Sequence, residues 1–186
     1  MSKVRLFALG GLDEDGKNMY VVENGEDIFV MECGLRYPEG EQLGIEMIIP
    51  DFKYLIENKD RIRGVFITHG HDDVMGGLTN LLKQINPPVY MAPLTALMFE
   101  RKARKEGLKD LNIHRIKRNS VFKIGQTEIR TFGVTQSIAD GFGVAIKTDS
   151  GYVVYSSEFI IDYDSKNEAF RCDITNLNDL DRRGVL

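Results

Sequence analysis

The sequence predicts a layered α/β domain, and three observations predict it. Near the front, two apolar runs flank Asn24-Gly25, the signal of a β-hairpin. In the middle, a β-rich run stops at a polar loop and gives way to helical spacing of apolar residues. Later, short β-rich segments follow one another, parted by glycine and polar turns. Strands first, a strand–loop–helix unit in the centre and antiparallel strands afterwards suit helices packed on sheets. A chain of 186 residues is long enough for one core and one domain.

The elements follow in order. Val4–Leu9 is a short apolar run ending in Gly10-Gly11, and Met19–Val22 with Ile28–Met31 forms the hairpin. Asp51–Glu57 is placed as a short helix after Pro50, and Gly64–Thr68 as a strand stopping at His69. Val74, Leu78, Leu81, Leu82 and Ile85 fall at helical spacing, which predicts one helix ending before Pro87-Pro88. Val89–Met91 is the next strand, and Leu94–Glu106 an amphipathic helix closed by Gly107. Val121–Ile124, Thr127–Gly133, Gly143–Thr148 and Tyr152–Ser156 are strands, the last two joined by the turn Asp149-Ser150-Gly151. The tail from Asp162 is polar and weakly patterned, with an apolar strand beginning only at Gly184-Val185-Leu186.

Composition narrows the function classes. No apolar run approaches the roughly 20 residues of a membrane helix, and Met1-Ser2-Lys3-Val4 lacks the apolar core of a signal peptide. Cys33 and Cys172 are too few and too far apart for a disulfide framework, so a cytoplasmic protein with free thiols is expected. A net charge of −4 argues against a basic nucleic-acid binder as a whole. Two local basic stretches, Arg101–Lys105 and Arg115–Arg118, are read as a solvated helix face and an exposed strand, with phosphate contact as the alternative.

The chemistry lies in Thr68-His69-Gly70-His71-Asp72-Asp73-Val74. Two of the three histidines of the chain stand here two residues apart, where a strand ends and a helix begins. Imidazoles separated by one small residue can approach a single ion from adjacent directions, and Gly70 permits the tight backbone this needs. Asp73 can reach a neighbouring ion. The plainer alternative is a hydrophilic turn with Asp72 or Asp73 as the helix N-cap. His114, on a later strand, is read as an ordinary surface or core histidine.

This stretch resembles the His-X-His-X-Asp-His signature of the metallo-β-lactamase superfamily. More closely, the chain resembles the N-terminal part of ribonuclease J, a bacterial RNase family of the β-CASP branch. The resemblance is carried by Phe7–Leu12, Gly16–Tyr20, Gly34–Pro38, Leu43–Ile45, Ile49–Asp51, Tyr54–Asp60, Gly64–His71 and Ser137–Ile146, in order, from about Val4 to about Asp164. It implies an αββα sandwich, of which residues 1–186 supply the N-terminal portion, with the β-CASP insert and C-terminal region absent. A sheet face is then expected to lie uncovered, so that the chain self-associates, as a homo-oligomer, or depends on other pieces.

The resemblance also implies a two-zinc centre, from which this sequence departs. His69, His71 and Asp73 match ligand positions. The next ligand, a histidine in the family, is Val74; the later-loop histidine is Gln136; the bridging aspartate is Glu158; and the acid ending the second hairpin strand is Glu32. Val74 has no lone pair, Gln136 offers a neutral amide, and Glu158 is one methylene too long for an aspartate bridge. Glu32 is expected either to orient a ligand histidine or to be an ordinary strand-end acid. No tightly bound metal is expected, with room for at most one weakly held zinc or manganese ion on His69, His71, Asp73 and Glu158, leaving Asp73 as a vestige of the catalytic machinery.

Three functions are then open. The first is a ribonuclease J-type subunit with little or no catalysis, working with an active ribonuclease J paralogue and RNA in mRNA decay and RNA maturation. The second is a metal-dependent nuclease with a remodelled one-metal site. The third is a hydrolase of a small ester, thioester or lactam, since a fold alone does not fix its substrate.

Overall fold

A computed structural model describes residues 2–40, 42–160, 162 and 164–186. Among the described residues, ten strands lie in two sheets. The first sheet has the order β1 (Val4–Gly10), β2 (Met19–Asn24), β3 (Asp27–Met31), β4 (Ile62–Ile67), β5 (Val89–Met91) and β6 (Ile113–Arg115). Its hairpin strands β1, β2 and β3 pair antiparallel, whereas β3 to β6 pair parallel. Within this sheet β4 is buried on both faces from Gly64 on, which is why Gly64-Val65-Phe66-Ile67 reads as a continuous apolar run. The second sheet is antiparallel throughout, in the order β10 (Gly151–Tyr155), β9 (Phe142–Thr148), β8 (Thr127–Gly133) and β7 (Ser120–Ile124).

The layers follow from which face each residue presents. α1 (Lys53–Glu57), α2 (Asp72–Met75), α3 (Leu78–Leu82) and α4 (Pro93–Lys105) cover the outer face of the first sheet, with Leu55, Leu78, Leu81 and Phe99 packed on Val21, Val30, Val65 and Ile67. The sheets meet through Val22, Phe29, Met31 and Phe66 on one side and Ile129, Phe142, Val144 and Ile146 on the other. α5 (Ile174–Arg183) lies on the outer face of the second sheet, where Leu177 and Leu180 pack on Phe132, Val134, Ala145 and Tyr152. The architecture is the αββα sandwich that the resemblance implied.

Three expectations change. The helix expected from Val74 onward is two short helices, because Gly76-Gly77 interrupts it. A Cβ on Gly76 would stand 2.3 Å from Leu35 Cγ, and one on Gly77 2.6 Å from the Gly34 carbonyl oxygen. Only glycine admits the Cys33–Leu35 segment there. The polar tail contains a helix, capped by Asp173, whose carboxylate accepts from the Asn176 amide at 3.1 Å. That helix covers much of the sheet face expected to be bare. Beyond its apolar contacts, Arg130 pairs with Glu128 at 2.8 Å and with Asp179 of α5 at 3.5 Å, and Tyr152 donates to Glu128 at 2.6 Å.

The basic stretches divide in use. Arg101, Arg104 and Lys105 are solvated, and Arg115 forks onto Glu100 at 2.6 and 2.8 Å. Arg118 instead turns inward and donates to the carbonyls of Val134, Glu168 and Arg171, tying the tail to β8. His114 is exposed and stacks on Tyr90 at 4.8 Å, outside the cluster that the other two histidines form. Among the described residues no helix is long and apolar enough to cross a membrane.

Candidate metal centre

β4 ends at Ile67, and the loop Thr68–His71 leads directly into α2, so the strand delivers both histidines to one edge of the sandwich. The first turn of α2, just after the loop, is gripped by main chain. Cys33 N donates to Val74 O at 2.8 Å, Leu35 N to Asp72 O at 2.9 Å, and Asn18 N to Asp73 O at 3.0 Å. Gly34 N in turn donates to Asn18 O at 2.9 Å. Gly34 is the tightest point: a Cβ there would lie 1.6 Å from Asp73 O. The N-cap of α2 is His71 in extended conformation, with Asp72 and Asp73 in the first turn rather than at the cap.

His69 is buried and its ring stands edge-on to His71, with centroids 4.7 Å apart and His69 Nε2 3.1 Å from His71 Nδ1. His69 Nδ1 lies 3.0 Å from Thr68 Oγ1, which donates to Glu32 Oε1 at 2.5 Å, while the Thr68 amide donates to Glu32 Oε2 at 3.1 Å. Ser157 Oγ is 2.8 Å from the same threonine hydroxyl. Glu32 and Ser157 both have left-handed backbones, φ 64° and 60°, a conformation that costs on the order of 1 kcal/mol for such residues and clusters at functional sites. Burial pushes the Glu32 carboxyl up to about 8, against the pull of its two bonds from Thr68 and with a further rise from the Asp73 charge. Burial, and then the neighbouring His71, hold His69 down to about 4, so its imidazole is neutral.

Each predicted site residue has a definite place. His69, His71 and Asp73 come together, their ligand atoms all within 4.8 Å of one another, and no other such cluster of three occurs among the described residues. Val74 is 1% exposed and packed in the helix-side core. Glu32 reaches neither histidine directly but acts on His69 through Thr68. Gln136 follows β8, and the bridge Thr135–Ile160 brings it beside Glu158. Its Nε2 donates to Glu158 O at 2.9 Å and lies 3.4 Å from His69 Nε2, while its Oε1 accepts from the Ser137 amide at 2.7 Å. Glu158 is exposed, its side chain outside the three-residue cluster. Three donors suit one ion and fall short of a pair: Val74 has no lone pair, and the Gln136 amide is turned nitrogen-first toward His69.

Sequence reasoning missed Thr68, Ser157, Ser137 and Asn18. Ser137 Oγ lies 3.2 Å from His71 Nε2, and Asn18 Nδ2 donates to Asp73 Oδ2 at 3.4 Å. Thr68, directly before His69, was open to inference as its nearest hydroxyl; the others come from distant segments. A cleft of about 560 Å³ opens beside the cluster, lined by Gly16, Arg36, Tyr37, His71 and Asp73. Tyr37 donates to Asp72 Oδ2 at 2.7 Å. Burial alone would raise the Asp72 carboxyl, but the Tyr37 hydroxyl and Lys102 hold it below the ordinary range.

Comparison with known proteins agrees with this geometry. The model of the "Metallo-beta-lactamase superfamily" matches residues 12–148. The chain is 40% identical over 185 residues to Ribonuclease J2 of Bacillus subtilis, and 36% identical over 183 residues to Ribonuclease J 2 of Staphylococcus aureus. Each match takes in 98% of this chain and 33% of the relative, so the chain spans about a third of the length of these curated relatives. Among solved structures, a protein of unknown function from Enterococcus faecalis superposes with a TM-score of 0.64 at 14% identity, over 86% of this chain and 44% of that one, a likeness of fold alone. With two facing sheets, helices on both outer faces and a histidine pair where β4 gives way to α2, this chain belongs to the metallo-β-lactamase superfamily.

Proposed function

We propose that this domain is the N-terminal portion of a ribonuclease J-type subunit for RNA processing and mRNA decay, with a degenerate metal centre and little or no nuclease activity of its own. It acts beside an active ribonuclease J paralogue, contributing assembly and RNA positioning. The observation that carries this reading is the donor set: three clustered ligands where a two-ion centre needs about twice as many. A pair of ions supplies an activated water and neutralises charge developing on phosphate, and a site with three donors cannot hold that pair. The identity to relatives called ribonuclease J 2 supports the RNA substrate class and the second-paralogue assignment.

The test is elemental analysis of the full-length protein for zinc and manganese, followed by an assay on 5′-monophosphorylated RNA with and without the active paralogue. The expected result is less than one ion per chain and cleavage only with the paralogue present. Two ions per chain with robust cleavage by the protein alone would refute the reading.

A second reading has its own support. His69, His71 and Asp73 are close enough to share one ion, which favours a one-metal 5′–3′ exo- or endoribonuclease. Under it, His71→Ala abolishes cleavage; under the first, the same variant leaves partner binding intact.

A further inference from the structure

We propose that Gln136 is a hydrogen-bond clamp on His69: its amide N–H holds the lone pair through which that imidazole would take a cation, so the side chain opposes metal binding at this centre. This rests on the degenerate-centre reading and deepens it by naming the group that takes the metal's place.

An amide at a ligand position invites the opposite view, in which its carbonyl oxygen is a weak ligand. The surroundings decide which end faces the histidine. The Ser137 amide can only donate, and it meets Oε1 at 2.7 Å. The Glu158 carbonyl can only accept, and it meets Nε2 at 2.9 Å. Turning the amide over would set donor against donor and acceptor against acceptor. Both partners are main chain, and the Thr135–Ile160 bridge, with Ile160 N donating to Thr135 O at 3.1 Å, fixes their separation. The nitrogen end therefore points at His69 Nε2, 3.4 Å away.

That orientation sets the protons of the pair. With Nε2 of His69 accepting, its ring proton sits on Nδ1 and is donated to Thr68 Oγ1 at 3.0 Å. His71 Nδ1 then donates to His69 Nε2 at 3.1 Å, leaving His71 Nε2 to accept from Ser137 Oγ at 3.2 Å. Each of the four ring nitrogens has a protein partner, and a cation would have to displace two N–H donors from one lone pair.

The experiment is a zinc titration of the full chain, wild type against Gln136→Ala, by calorimetry with a competing chelator. Removing one neutral hydrogen bond should tighten binding by about two- to tenfold; a true ligand would weaken it on removal, so the sign separates the two views. Gln136→Glu keeps the acceptor for Ser137, loses the donor and adds a charged oxygen, and should bind zinc more tightly than Gln136→Ala. It also serves if the alanine variant fails to fold. In ¹⁵N spectra, wild-type His69 should carry its proton on Nδ1, and the Nε2 resonance should shift toward the unbonded position in Gln136→Ala, a change that simple packing would not produce. Unchanged or weaker zinc binding in both variants, or an unmoved resonance, overturns the clamp. Two tightly bound ions in the wild type would instead remove the degenerate-centre reading itself.

Discussion

The two walls of the centre come from different sheets and are built differently. On the wall from the first sheet, Glu32, Thr68 and His69 are each no more than 1% exposed, and the turn at residues 72–74 is bonded through its main chain to Asn18, Cys33 and Leu35. On the wall from the second sheet, Gln136 is half-buried and Ser137 and Glu158 are exposed, held by one bridge and a few side-chain contacts. The first wall holds the clustered donors His69, His71 and Asp73, and the second supplies the Gln136 amide and the Ser137 hydroxyl. Burial on the first wall therefore fixes where the imidazoles stand, while the more exposed second wall sets which hydrogen-bond partners they meet.

The largest effect that would sharpen this contrast is Gly34→Ala. A Cβ 1.6 Å from Asp73 O forces the first wall apart, and a loss of about 3 kcal/mol or more is expected in urea unfolding. Gly125→Ala in the second sheet's hairpin meets no atom within 4 Å and should lose only about 1 kcal/mol, from its left-handed backbone. Equal losses would break the comparison. Next is Thr68→Val, which strips a buried hydroxyl from Glu32, His69 and Ser157 at once; about 2 kcal/mol is expected.

A third test uses pH, with chelator present. Glu32 has a folded pKa of about 8, above its ordinary 4.5, so its contribution is complete below about pH 4.5 and is lost as the pH rises toward 8. His69, at about 4 against an ordinary 6.5, contributes above pH 6.5 and loses that contribution as the pH falls toward 4. Between 4.5 and 6.5 the two trends oppose, and from 6.5 to 8 only the Glu32 decline remains. Glu32→Gln should flatten the fall in urea midpoint over pH 6.5–8, and an unaltered slope would show that the carboxyl ionises freely. The smallest effect belongs to the second wall: Glu158→Gln should shift stability by under about 0.5 kcal/mol, and a larger loss would show that wall to be structural after all.

Much of this was legible in the residues. The hairpin at Asn24-Gly25, the strand before His69 and the four late strands were readable because turn chemistry and β-rich composition act locally. The split between α2 and α3 was not, because Gly76-Gly77 answers to Leu35 and Gly34, contacts remote in sequence. α5 escaped notice because few apolar residues mark it, although Asp173 with Leu177 and Leu180 carried a faint version of its cap and face. At the centre, residue types marked His69, His71 and Asp73 as a cluster, but not which way the Gln136 amide turns. That depends on two backbone groups only the fold brings together.

The threading of residues 33–35 between Asn18 and the 72–74 turn has an evolutionary corollary. Its rungs are peptide groups, so once glycine stands at 34, 76 and 77 the shape of the loop does not consult the other side chains it displays. Donor side chains can therefore be exchanged along a lineage without the frame first becoming misshapen. Altering the chemistry of the centre, in either direction, is a matter of re-equipping an intact frame, a few substitutions rather than a new fold.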